Sequence, residues 1–317
     1  MGFSKENYSR VDAILTKRRQ DSEALAEKHT AELYAKSPEA REIDRKLSLT
    51  GISLVRAAME RVDVKERVAA LKEENLSLQA RRREILLSLG LPENYTDVLP
   101  MCEACGDTGH IGQRMCACKR QLLVEAGYRS SGLGSLLQRQ RFDNFSLSFY
   151  EGEANILIEA VLCAAKDFAE SFDKTGKNLL FIGGTGLGKT HLSTAIAARA
   201  IERGFDVVYE TAQNVIADFE YDRFKSGYGE SESRSERYLA CDLLIMDDLG
   251  AELTNQFTVS SLYNIINTRI NLGKSMLIST NLGQKNLFER YDERITSRLF
   301  GEFDPYLFRG VDIRRQK

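Results

Sequence analysis

The sequence has no run of about 18 consecutive apolar residues, and its opening, MGFSKENYSR, carries no apolar signal core. Neither a membrane-spanning helix nor a secretory leader is therefore expected, and the reading is of a cytoplasmic protein with no membrane partner. Gly2 does not start a myristoylation site, because the position that needs Ser or Thr is Glu6. There is no excess of one charge either: 44 Lys and Arg stand against 46 Asp and Glu, a net charge of −2. That balance excludes electrostatic coating of nucleic acid over the whole surface and leaves only a local patch. No internal repeat is visible. Cysteine is scarce at six residues, and without a secretion signal these should be reduced thiols.

What is present is an ordinary globular composition, 43% hydrophobic and 28% charged over 317 residues, enough for two domains. Glycine is nearly missing from the first 90 residues, where apolar residues recur at helical spacing, as at Val11, Ile14 and Leu15 and again at Ile52, Val55 and Met59. Ser37, Pro38 and Glu39 read as an N-cap, a first-turn proline and an acidic first turn, so this region splits into at least two helices. A seven-residue spacing then places Val64, Leu71, Leu78 and Ile85 on one seam, while the companion row reads Val68, Asn75, Arg82 and Leu89. Half of that row is polar, which favours a short hairpin or bundle, closed by Gly90 and Pro92, over a long coiled coil. Such a segment is either a solvated scaffold or a docking face for another protein.

Four of the six cysteines cluster as Cys102, Cys105, Cys116 and Cys118, two close pairs separated by ten residues, with Gly106, Gly109 and Gly112 to make the turns. This spacing suits a tetrahedral thiolate site for Zn2+, structural because four protein ligands leave no position open to water. His110 is an alternative ligand, more simply read as exposed, and Cys163 and Cys241 fall in apolar patterns that read as core. The stretch SSGLGSLL, residues 130–137, is expected to be a flexible joint. The expected organisation is a helical segment at 1–92, a zinc module at 93–129, a linker at 130–142 and a catalytic domain at 143–317.

In that last part, apolar runs at 178–182, 205–210, 242–248, 275–280 and 306–308 alternate with helical segments, the pattern of a parallel sheet covered by helices. After the first run come Gly183, Gly184, Thr185, Gly186, Leu187, Gly188, Lys189 and Thr190, with His191 beyond, a match to G-x-x-x-x-G-K-[ST] between strand and helix. The glycines turn backbone N–H groups toward phosphate, Lys189 supplies a point charge to the outer phosphates, and Thr190 offers its hydroxyl to Mg2+. The run LLIMDD delivers Asp247 and Asp248 at a strand end, where open parallel sheets place their ligands. Asp247 is the expected Mg2+ partner and Asp248 the acid that orients an attacking water, a role Glu252 could share. Asn281, after the fourth run, either touches the terminal phosphate or is a turn residue. Lys189 is expected to be solvated until nucleotide arrives.

The ordered set GGTGLGKTH, LLIMDDLGAE, ISTN, ITSRL and VDIR resembles the AAA+ ATPases, and among them the bacterial replicative-helicase loaders of the DnaC and DnaI type within the IstB-like ATP-binding superfamily. The resemblance covers about residues 140–317, and the cysteine pattern extends it to about residue 101. It implies an AAA+ P-loop domain with a minimal lid, Asn281 as a phosphate sensor, Arg298 as a finger acting on a neighbouring subunit, and Arg314 as a sensor of its own subunit's nucleotide. It also implies ATP hydrolysis as an assembly switch, self-assembly through the ATP interface, and partnership with a hexameric helicase and single-stranded DNA. In similar proteins the segment before the acidic strand faces DNA, which points to Tyr221, Arg223, Phe224 and Lys225, with stacking on the rings as the physical mode. The alternative within the superfamily is an IstB-type transposition helper, which generally lacks a zinc module. A small-molecule kinase would need an arginine-rich lid, which is not seen.

Overall fold

The computed structural model describes residues 3–59, 64–134, 136–173, 176–225 and 233–315; the side chains at 51–59, 64–65, 137–138 and 225 lie outside that description. Those of Ile52, Val55, Met59, Val64 and Lys225, singled out above, are therefore not described. The chain divides into two compact units, Asp12–Cys118 and Met1–Val11 with Lys119–Lys317. No described helix is long and apolar enough to cross a membrane.

The first unit is built from most of α1 (Lys5–Lys36), α2 (Pro38–Met59) and α3 (Val64–Ser88). Ser37 caps α2 by accepting from the Ala40 N–H at 3.3 Å, with Pro38 opening the helix and Glu39 in its first turn. α3 runs back along α2, pairing Arg81 with Glu39 and Arg82 with Asp44. Leu33, Ala40, Ile43, Ile85 and Leu86 form the core, with Leu78 and Tyr95 against it. The polar Arg82 on the seam is satisfied from two sides, donating to Asp44 at 2.6 Å and to Thr96 Oγ1 at 2.7 Å. A small antiparallel pair, β1 (His110–Ile111) and β2 (Arg114–Met115), closes the unit.

The second unit takes the start of α1, most of α4 (Ala117–Ser130), and α5 (Leu136–Arg139). Its centre is a five-stranded sheet, ordered β4-β5-β6-β3-β7 and parallel throughout. The strands are β3 (Leu179–Gly183), β4 (Val207–Thr211), β5 (Leu243–Leu249), β6 (Ser275–Thr280) and β7 (Asp304–Phe308). Helices α6 (Glu153–Ser171) and α7 (Lys189–Glu202) serve one face. On the other lie α8 (Ala212–Lys225), α9 (Glu236–Ala240), α10 (Gln256–Asn271), α11 (Gln284–Arg290) and α12 (Glu293–Gly301). Leu243–Met246 of β5 and Met276–Ile278 of β6 are continuous apolar runs because both faces are covered. This is the α/β AAA+ P-loop architecture, and after β7 the described residues add only a short 3-10 turn, Ile313–Arg315.

Two expectations about packing change. Cys163 is exposed, since the buried stripe of α6 is Ile158, Val161, Ala165, Phe168 and Ala169, and residue 163 falls off that face. In the stretch read as a joint, Ser131 and Leu133 are buried, and the Ser131 carbonyl accepts from the Tyr209 N–H at 2.8 Å on the free edge of β4.

Arg269 on α10 is fully buried, and burial lowers its pKa. Its guanidinium donates to the carbonyls of Tyr238 (2.6 Å), Cys241 (3.2 Å), Asp242 (3.3 Å) and Ser275 (2.7 Å), joining α9, the entry to β5 and the start of β6. Arg269→Leu should leave these acceptors unpaired and lower unfolding stability by about 3 kcal/mol, measured by urea titration, whereas Arg294→Leu on the surface should change it by under about 1 kcal/mol.

Candidate functional site

The carboxyl ends of β3, β5 and β6 lie side by side, pairing Ile182 with Thr280 and Leu249 with Thr280. At the end of β3, a Cβ on Gly183 would lie 2.4 Å from the Phe308 carbonyl, so only glycine lets β7 run this close. Gly188 caps α7 at φ +86°, where a Cβ would meet the Tyr150 hydroxyl at 2.8 Å. The loop between them opens onto a cavity of about 260 Å³ lined by Thr185 to His191, Asp247, Asp248, Asn281 and Arg314, together with Gln140 and Ile313.

Lys189 is buried in this structure, which corrects the expectation of a solvated lysine. Its ammonium donates to the carbonyls of Gly183 (2.6 Å) and Gly184 (2.7 Å) and to Asn281 Oδ1 (2.6 Å). Burial lowers its pKa, and the charges of Asp248 and Asp247 oppose that shift. Three acceptor oxygens thus stand where phosphate oxygens would be gripped.

Asp247 accepts from Thr190 Oγ1 (3.1 Å) and Tyr209 OH (2.6 Å) on one oxygen and from the Ser279 hydroxyl on the other. Asp248 sits at φ +61°, an uncommon conformation for a residue with a side chain, beside a register shift between Met246 and Leu249. That bend re-aims its carboxylate, which accepts from Asn281 Nδ2, while its N–H donates to Ser279 Oγ at 3.1 Å. Lys189, Asn281 and Asp248 therefore form one continuous chain of hydrogen bonds.

Other candidates are placed differently. Glu252 is 2% exposed and accepts from Gly250 N–H (2.8 Å) and from the Tyr291 hydroxyl, so it does not line the cavity and its expected share in orienting water is corrected. His191 meets the Arg141 carbonyl at 2.9 Å and packs edge-on against Phe145, fixing the entry segment to the loop. Tyr150 donates to the Leu187 carbonyl at 3.0 Å, and burial pushes its pKa up to about 12. Arg298 lies outside the cavity lining, its guanidinium 5.4 Å from the Tyr263 ring centre, with Arg294 5.3 Å from the same ring. At the end of α8, Phe224 is 75% exposed, Tyr221 is covered by Arg234 at 3.7 Å, and Arg223 rests on Phe257 at 5.2 Å. The sequence reading missed Tyr209, Ser279, Gln140 and Ile313. For the first two the only signal was a hydroxyl within a strand that carries other polar residues as well.

In the other unit, Cys102, Cys105, Cys116 and Cys118 place their sulfurs within 4.8 Å of one another, with Cys102–Cys116 at 3.8 Å and Cys105–Cys118 at 3.5 Å. The turn is held by Asp107, buried and accepting from Met101 N–H (2.7 Å) and Cys102 N–H (3.1 Å). Burial pushes the Cys105 thiol up, but the Gly109 amide and the neighbouring sulfurs more than offset this and bring it down to about 7. His110 is exposed and outside the cluster.

Comparison with known proteins gives a family and several relatives. The model of the family described as IstB-like ATP binding protein matches residues 130–299. The replicative helicase loader DnaC of Escherichia coli (strain K12) is 24% identical over 180 residues, 57% of this chain and 71% of that protein. The chromosomal replication initiator protein DnaA of Zymomonas mobilis subsp. mobilis is 31% identical over 164 residues, which span 51% of this chain but 32% of the relative. Among solved structures, a crystal structure of the DnaC helicase loader superposes with a TM-score of 0.48 at 22% identity, covering 55% of this chain and 98% of that one.

Lys189→Ala should have two effects. Loss of a charge-assisted contact to phosphate should weaken ATP binding by roughly 10- to 100-fold in calorimetry, and the acceptors left unpaired should lower the stability of the nucleotide-free protein by about 1–3 kcal/mol. Unchanged ATP affinity would remove the lysine from the phosphate site.

Proposed function

From the premise that this chain belongs to the IstB-like ATP-binding family, we propose that it is an ATPase that loads a replicative hexameric helicase onto single-stranded DNA. The observation that carries the reading is the convergence of Lys189, Thr190, Asp247, Asp248 and Asn281 on one cavity at the carboxyl edge of a parallel sheet. Relatives named replicative helicase loader support the choice of task. ATP arriving in the cavity takes Lys189 away from Asn281 and the loop carbonyls, since phosphate oxygens are the stronger acceptors. Asn281 is then free to contact the terminal phosphate, and Asp248, released from Asn281 Nδ2, to orient a water.

The residues present fit Mg2+: the Thr190 hydroxyl and the Asp247 carboxylate are the two oxygen donors, 3.1 Å apart and beside the loop. Bound with nucleotide, Mg2+ supplies charge that neutralises the phosphates. The four sulfurs fit Zn2+, because Zn–S bonds of about 2.3 Å in a tetrahedron set S–S distances near ~3.8 Å, as between Cys102 and Cys116. Four thiolates would hold the metal and leave no position for water, so its contribution would be to folding. Arg298, parked over an aromatic ring and without a carboxylate partner among the described residues, is free to reach a neighbouring subunit's terminal phosphate. Arg314, on the cavity wall, acts on its own subunit's nucleotide. Exposed Phe224 is the proposed stacking platform for single-stranded DNA, with Tyr221, Arg223 and Lys225 beside it in sequence.

A second reading, a transposition helper of the IstB type, is compatible with the family description, and the cysteine cluster stands against it. Capture experiments decide: the purified protein with ATP should retain a replicative hexameric helicase and deposit it on single-stranded DNA, and retention of a transposase instead would support the helper.

Two further outcomes are expected. Metal analysis should find one Zn2+ per chain, lost in Cys102→Ser, while ATP affinity stays within about twofold. Arg298→Ala should bind ATP normally but hydrolyse it ~10³-fold more slowly or worse. Mixing it with Lys189→Ala should restore turnover, since one variant supplies the loop and the other the finger. No restoration in demonstrably mixed assemblies would make Arg298 structural.

A further inference from the structure

Tyr209 lies at the third residue-pair of β4 and β5, Tyr209 with Ile245, two steps short of Thr211 with Asp247. Its ring is buried, and its hydroxyl is the shortest-range donor to Asp247 Oδ2 whose distance is resolved, at 2.6 Å. Thr190 Oγ1 donates to the same oxygen at 3.1 Å. A carboxylate oxygen has two lone pairs, and here both are met by hydroxyls; Ser279 meets one on the other oxygen. This leaves one lone pair of Oδ1 uncommitted. The backbone around Tyr209 is equally fixed. Its N–H donates to the Ser131 carbonyl, and a Cβ on Gly132 would come 2.5 Å from the Tyr209 carbonyl oxygen, so the 131–133 segment presses on the outer edge of β4. A phenol keeps its proton at neutral pH, so the group is a donor to the carboxylate.

We propose that Tyr209 is a positioning residue for the metal site: by donating to Asp247 Oδ2 it locks the carboxylate rotamer and holds the carboxylate beside Thr190, where the two side chains would meet the divalent cation. It acts through Asp247 and touches neither nucleotide nor metal. The inference rests on the reading of this cavity as an Mg2+–ATP site. Hydrogen-bond partners of metal-holding carboxylates typically contribute about 10- to 100-fold in metal affinity when lost.

The test is nucleotide affinity measured by calorimetry on the full chain, first in chelator and then across a magnesium titration. Tyr209→Phe keeps the ring, its packing and the backbone bond to Ser131. It should leave the metal-free ADP affinity within about twofold of the parent and raise the magnesium concentration for half-maximal gain by about tenfold. Ser279→Ala, which frees the opposite oxygen, should move the same midpoint and serves as the arm to rely on if the phenylalanine variant melts at a much lower temperature. A magnesium midpoint unchanged in a folded Tyr209→Phe protein, or an equal loss with and without metal, overturns the inference and makes Tyr209 a packing residue. If the parent itself binds ADP with no magnesium dependence, the reading of the cavity fails instead.

Discussion

The common register of the parallel strands is the constraint on which the site depends. Thr211 pairs with Asp247, Ile182 with Thr280, and Gly183 with Phe308, so the strands finish almost level. Asp247, Asp248 and Asn281 are attached within a residue or two of that edge, and the phosphate loop starts from it at Gly183. A slip of one residue in β5 would turn Asp247 to the opposite face and bring Met246, buried in the core, to its place at the cavity. The hydrophobic continuity of β5 and β6 therefore does more than build a core; it fixes the depth at which the acids emerge.

Within that frame the cavity is a closed set of mutual hydrogen bonds. Lys189 holds two loop carbonyls and Asn281; Asn281 holds Asp248; Asp248 and Asp247 share Ser279; Asp247 holds Thr190 and Tyr209. No charge in the set lacks a partner, which lets a lysine be buried beside a loop built to receive anions. Ligand binding is then an exchange of partners, and the energy of each new contact is offset by one already present. Such sites discriminate well between ligands that can replace all the lost bonds and ligands that can replace only some.

Much of this was legible in the sequence. The five apolar runs between helical segments announced the parallel sheet, and the spacing from Gly183 to Thr190 together with LLIMDD located the cavity, because backbone geometry forces those residue types into those places. The Ser37 cap and the two cysteine pairs were legible for the same reason. What escaped were contacts that depend on strand neighbours. Tyr209 looked like an ordinary β-former, and only the pairing of β4 with β5 brings its hydroxyl to Asp247. Glu252 looked available because its partner Tyr291 lies 39 residues away. Cys163 was misread because it stands in an apolar stretch of sequence, although two positions from both Val161 and Ala165 it turns away from the buried stripe. Lys189 was misread because two of the three acceptors that hold it are loop carbonyls, which no side-chain pattern reveals.

Arg269 carries a consequence for the order in which the chain assembles. Three of its carbonyl partners, on Tyr238, Cys241 and Asp242, lie 27 to 31 residues before it, and the fourth, on Ser275, six after. No local segment can satisfy the guanidinium, and dehydrating it early would be costly. The cation is thus a late-closing element: α10 can be helical at the outset, but it cannot sink to its final depth until α9, β5 and β6 have met. Half-formed sheets that pair β5 and β6 out of step leave a charged group in an apolar space and are rejected on that ground. A side chain with no part in nucleotide chemistry thereby proofreads the strand alignment that the nucleotide site requires.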